Sequence, residues 1–155
     1  MINKPPAALV GRSAARLGRQ VDQTLAKIEL STAQYRMLFQ LADGAEASTT
    51  LARKLEVSAP SVTAVVDGLV QRHLVARTHS ELDRRRVSLE LTDEGRQVLH
   101  LADNAVRERL ELIASELGEE EAEALLCSLL EWAAVLDAHR VTRQALRQQV
   151  EVANV

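Results

Sequence analysis

Residues 74–95, LVARTHSELDRRRVSLELTDEG, interrupt a chain whose apolar residues otherwise recur every three or four positions. Within this stretch Val87, Leu89 and Leu91 alternate with Ser88 and Glu90, the pattern of a half-buried strand, and Val75 to Thr78 can pair with it. Ser80 to Arg86 reads as a polar hairpin loop carrying Glu81, Asp83, Arg84, Arg85 and Arg86. Thr92 then caps a helix whose first turn holds Asp93 and Glu94, complementing the helix dipole. That helix is predicted to reach Leu117, about 39 Å long at about 1.5 Å per residue, with Gly118 at C′.

Upstream, Ser58 is a good N-cap and Pro60 lies in the first turn, so a helix should run to about His73. Ser48 to Leu55 offers a short helix with Leu51, Ala52 and Leu55 inward. Ser31 and Gln34 match a capping box, Leu30 and Tyr35 a hydrophobic staple, and the helix they open ends near Ala42, before Asp43 and Gly44. Val10, Ala14, Leu17, Val21, Leu25 and Ile28 form one stripe of a helix over Ala8 to Ile28, with Arg12, Arg16 and Arg19 on other faces. The last helix opens with Glu119, Glu120 and Glu121 and shows Ala122, Leu125, Leu126, Leu129, Leu130, Ala133 and Leu136 on one face. Two short helices joined by a tight turn and followed by a β-hairpin make a winged helix-turn-helix. The expected fold is mainly α, with a two-stranded β wing and N- and C-terminal dimerisation helices.

The bulk composition agrees. The chain has 155 residues, 46% of them hydrophobic, which suits one domain. Leu (24) and Ala (23) dominate while Phe, Trp and Tyr occur once each, which argues against a β-sandwich or barrel. A single cysteine, Cys127, excludes an internal disulfide and fits a reducing compartment; on an apolar helix it reads as a buried, inert thiol. There is no apolar run of membrane-spanning length and no leader pattern over Met1 to Val10, so a cytoplasmic protein with no membrane contact is expected. His73, His79, His100 and His139 lack paired ligand spacing, so neither a metal nor a cofactor is expected. Ser58, Ser61 and Thr63 have no evident base beside them, so the chain does not read as an enzyme.

The net charge of −3 argues against nucleic acid only until the charges are placed. Residues 49–86 hold seven basic and four acidic side chains, whereas residues 87–135 hold three basic and twelve acidic ones. A basic head is thus joined to an acidic body, which phosphate repels. With Val62, Val65, Val66 and Leu69 as the buried stripe of the third short helix, Pro60, Ala64, Asp67 and Gln71 turn outward and Ser61 and Thr63 flank them. That face suits a major groove. Ser61 and Thr63 can hydrogen-bond base edges or phosphates, and Ala64 can touch a thymine methyl, but no outward residue early in the helix is a bidentate reader. Asp67 would be repelled by phosphate and should pair with an arginine of the protein. Arg84, Arg85 and Arg86 at a narrow hairpin tip can approach a minor groove, and Arg53, Lys54, Arg72 and Arg77 can neutralise backbone phosphates. The long helices carry more apolar surface than one head can cover, implying a homodimer and, by its two-fold symmetry, an inverted-repeat operator in double-stranded DNA. The tail from Arg140 to Val155 keeps Val141, Leu146 and Val150 at helical spacing and either extends this interface or frays.

Ser48 to Gly95 closely resembles the DNA-binding core of the MarR (multiple antibiotic resistance regulator) family of bacterial transcription factors. The residues that carry the resemblance are Leu51 to Ser58, Pro60 to Thr63, Val66 to Leu69, Asp83-Arg84-Arg85 at the wing tip, and Leu91 to Gly95. Leu30, Gln34 and Leu38 fit the family's second helix and the flanking helices its dimerisation region, so nearly the whole chain is covered. The resemblance implies one domain over residues 1–155, with 1–30 and 92–155 forming the dimerisation region and 31–91 the DNA-binding head. It assigns minor-groove insertion to Arg85, a bracing role to Asp83 and phosphate contacts to Arg84 and Arg86. It also implies a repressor released by a small aromatic or anionic ligand bound between head and dimer helices. Glu56 stands where many members have Gly in the turn, so either the turn avoids positive φ or Glu56 is strained. Ala64 replaces a long polar residue of the recognition helix. One rival reading stays open, a winged-helix protein-protein interaction module whose arginines bind an acidic partner without specific DNA binding.

Overall fold

The computed structural model describes residues 7–42, 44, 46–79 and 87–153. Along them run α1 (Ala7–Ala26), α2 (Thr32–Leu41), β1 (Glu46–Ala47), α3 (Ser48–Leu55), α4 (Ala59–Gln71), β2 (Val75–His79), β3 (Val87–Leu91), α5 (Asp93–Ala114) and α6 (Glu119–Ala153). Local chemistry explains most of these boundaries. Ser31 Oγ accepts from the Gln34 N–H at 3.2 Å while the Gln34 side chain accepts from the Ser31 N–H at 2.9 Å, completing the capping box at α2. Ser58 Oγ accepts from the Ser61 N–H at 3.3 Å at the start of α4, with Pro60 in the first turn. The turn after α1 closes with Glu29 in the left-handed region (φ 57°) and Leu30 N–H bonded back to the Leu25 carbonyl at 3.0 Å.

Thr92 joins two elements as well as capping one. Its Oγ accepts from the Gly95 N–H at 2.9 Å and donates to the His73 carbonyl at 2.6 Å, and its own N–H donates to the Leu74 carbonyl at 3.2 Å. Gly95 is buried, and a Cβ there would collide with that Leu74 carbonyl oxygen. The first turn of α5 therefore lies backbone to backbone on the turn that leaves α4.

The sheet is antiparallel in the order β1-β3-β2. The hairpin pairs Val75 with Leu91 and His79 with Val87. The expected two-stranded wing thus gains a third strand, because Glu46 and Ala47 pair with Leu89 and Ser88. Two residues show no alternation, so only the pairing reveals them. Two further boundaries differ from expectation. α5 ends at Ala114, and Gly118 lies at the start of α6, its carbonyl accepting from the Ala122 N–H at 2.9 Å, without the positive φ of a C′ glycine. The tail from Arg140 continues α6 as helix to Ala153.

The chain divides into two compact units, Met1–Arg107 and Glu108–Val155. The first holds the core: Leu25 of α1, Met37, Leu38 and Leu41 of α2, Leu51 of α3, Val62, Val66 and Leu69 of α4, Val75 and Leu89 of the sheet and Ala102 of α5 are all buried. In the second unit Leu125, Leu130, Trp132, Val135, Leu136 and Val141 are exposed. Cys127, expected to be buried, is exposed with them. Among the described residues no helix is long and apolar enough to cross a membrane.

Within the first unit the Tyr35 hydroxyl donates to Asp103 Oδ1 at 2.6 Å, tying α2 to α5. Burial, then the hydrogen bond and negative charge of Asp103, push the phenol well above its usual pKa. Because the neutral phenol is favoured in the fold, this contribution to stability is complete below about pH 10 and is lost as pH rises beyond it. Tyr35 is the sole tyrosine, so tyrosinate absorbance reports it alone. It should titrate above free tyrosine, and Asp103→Asn should move it back toward about 10. Gly95→Ala should destabilise the fold by about 2 kcal/mol or more in chemical denaturation, since the clash is with backbone.

Candidate nucleic-acid interface

The turn between α3 and α4 sets the start of α4. Val57 N–H reaches the Ala52 carbonyl at 3.0 Å, and Glu56 occupies the left-handed region at φ 54°, ψ 41°. The strained alternative therefore holds: a residue with a Cβ sits where glycine is favoured, at a cost of about 1 kcal/mol. From this turn α4 buries Val62, Val66 and Leu69 and exposes Pro60, Ser61, Thr63, Ala64 and Asp67. Ser61 Oγ lies 2.8 Å from Ser58 Oγ, and Thr63 Oγ1 donates to the Ala59 carbonyl at 3.1 Å. Both hydroxyls are at the surface, held by their own helix.

Each of three cations meets a partner from another element. Arg77 of β2 pairs with Asp67 of α4, which identifies the arginine that Asp67 requires. Lys54 of α3 pairs with Glu46 of β1, a residue the sequence reading missed because nothing local marks its two-residue strand. Arg72 Nη1 donates to the Glu29 carbonyl at 2.6 Å, so this side chain braces α4 against the turn after α1. Arg53 is exposed on α3. Asp83, Arg84, Arg85 and Arg86 lie outside the described residues. The described candidates, Arg53, Lys54, Ser58, Pro60, Ser61, Thr63, Ala64 and Arg77, are thus carried by α3, α4 and the first strand of the hairpin. Beside α4, a cleft of about 70 Å³ is lined by Arg36 and Met37 of α2, Val57, and Ser61, Val62 and Val65 of α4.

A MarR family model matches residues 28–86. The HTH-type transcriptional regulator FarR of Neisseria gonorrhoeae is 32% identical over 120 residues, covering 77% of this chain and 82% of FarR. The chain belongs to the MarR family. The HTH-type transcriptional repressor MdtR of Bacillus subtilis is 49% identical over a shorter segment of 45 residues. The chain spans 29% of the length of MdtR, 60% of the B. subtilis regulator YpoP and 42% of the B. subtilis repressor YetL. The solved structure of the transcriptional repressor CouR bound to a 23-mer DNA duplex is 31% identical, with a TM-score of 0.67 over 81% of this chain and 89% of CouR. Apo MarR from E. coli, at 20% identity, shares the fold with a TM-score of 0.71 over 84% of this chain and 98% of MarR. The family and these relatives are transcriptional regulators, not enzymes.

In this MarR-family chain the strained turn gives a direct check. Glu56→Gly should raise stability by about 1 kcal/mol in urea denaturation, because glycine enters the left-handed region without steric cost.

Proposed function

We propose that this MarR-family chain is a homodimeric transcriptional regulator, a repressor, that binds an inverted-repeat operator in double-stranded DNA. The observation that carries the reading is the likeness to CouR, a repressor solved on a DNA duplex and aligned over most of both chains. The exposed start of α4 supports it, with Ser58, Pro60, Ser61, Thr63 and Ala64 presented on a helix held by a buried stripe. In this reading α4 enters the major groove, where two hydroxyls and a methyl give modest direct readout. Arg85, braced by Asp83, enters the minor groove, Arg84, Arg86, Arg53 and Lys54 face phosphates, and Arg77 lies at the same surface paired with Asp67, so shape carries more of the specificity. The exposed apolar side chains of α6 support a second copy as partner, and two-fold symmetry would set half-sites about 10 bp apart. Release by a small aromatic or anionic ligand, and action in the cytoplasm, rest on the family resemblance.

The test is a titration with the duplex upstream of the chain's own gene. Binding should fall steeply with salt, and Arg85→Ala should weaken it about tenfold while relaxing sequence preference. Duplex binding no better than that of a neutral polymer at low salt would defeat the reading.

A further inference from the structure

We propose that Asp67 is a built-in counter-charge that withholds Arg77 from DNA phosphates, lowering the affinity of the head for duplex of arbitrary sequence. The proposal rests on the DNA-binding reading above. Asp67 lies on the exposed face of α4 that would enter the groove, and Arg77 reaches it from β2. Their side chains are 56% and 44% exposed, so the pair is open to water and to a phosphate. Exposed pairs of this kind contribute little to stability, and the buried core already holds α4 against the hairpin. The pair therefore matters most for what the arginine can do. A phosphate that recruits Arg77 must displace a carboxylate that cannot leave, because helix α4 holds it at the same surface. Arg77 then releases few counterions on binding any duplex, although it counts among the basic residues of the head.

The surroundings point the same way. Lys54 of α3 also faces a carboxylate from a different element, Glu46 of β1. Residues 49–86 exceed neutrality by only three charges, so each cation held back weighs on the attraction to any duplex. Specificity is the ratio of operator to arbitrary-sequence affinity, so a weaker arbitrary-sequence term enlarges it without any added base contact.

The experiment measures binding of the full-length protein to a duplex of arbitrary sequence, about 25 bp long, between about 50 and about 200 mM KCl. Asp67→Ala and Asp67→Asn should bind more tightly than the unaltered chain at low salt. Asp67→Ala should also steepen the salt slope by about 0.9, so that affinity falls about 3.5-fold further across that range. Adding Arg77→Ala to Asp67→Ala should abolish the gained slope, since Arg77 is its source. Far-ultraviolet circular dichroism checks that each variant keeps its helices. An unchanged slope, a loss of affinity on removing the carboxylate, or a gain that survives Arg77→Ala would each overturn the proposal. In the second case Asp67 would be orienting Arg77 toward its phosphate; in the third it would be acting by general repulsion. If the unaltered chain binds no duplex even at low salt, the regulator reading falls and this proposal with it.

Discussion

The backbone contact between Leu74 and the Thr92–Gly95 turn sets the geometry of the whole reading head. The Leu74 carbonyl accepts the Thr92 N–H and lies against the one position in α5 where no Cβ can fit. β2 starts at the next residue, Val75, and β3 ends at Leu91, immediately before Thr92. The pairing of Val75 with Leu91 is thus the continuation of that contact, and the rest of the hairpin register follows from it. On the other side, His73 takes a left-handed conformation (φ 58°) and Leu74 N–H returns to the Leu69 carbonyl at 2.9 Å, closing the end of α4. Helix α4, the hairpin and the start of α5 are consequently held together by hydrogen bonds among Leu69, His73, Leu74, Thr92 and Gly95.

Around this junction the head manages its charge by pairing. In the proposed reading, the short polar residues at the start of α4 would be pressed close to a groove but discriminate bases weakly. Such a face benefits when electrostatic attraction is limited, since strong nonspecific attraction would swamp a weak direct code. Asp67 and Glu46 lie where they reduce the charge of the α3–α4 surface, while Arg72 is turned away to brace the turn at Glu29.

The second unit has a different problem. Its helix of 35 residues leaves Leu130, Trp132, Val135 and Leu136 more than half exposed. The same exposure reaches Cys127. In the proposed reading, coverage of this face by a second copy would bury it.

Much of this was legible from residues alone, because the signals are short in range. The capping box at Ser31, the caps at Ser58 and Thr92, the period-two run from Val87 to Leu91 and the buried stripe of α4 each depend on residues two to four positions apart. The same locality made Asp67 readable as a carboxylate in need of an arginine, since its place on the outward face of α4 follows from helical spacing. Which arginine it meets, that Lys54 meets Glu46, and that Arg72 reaches the Glu29 carbonyl were settled only when distant segments were packed together. The third strand belongs here too, as two residues carry no periodicity and become a strand only by facing Leu89 and Ser88. Gly118 could equally have ended one helix or begun the next, and the early stop of α5 at Ala114 decided it. By itself the sequence determined where the helices start and which faces they bury, through hydrogen bonds and periodicities between neighbours. The tertiary structure alone decided how the charges pair, because an exposed cation takes whichever partner the fold brings within reach.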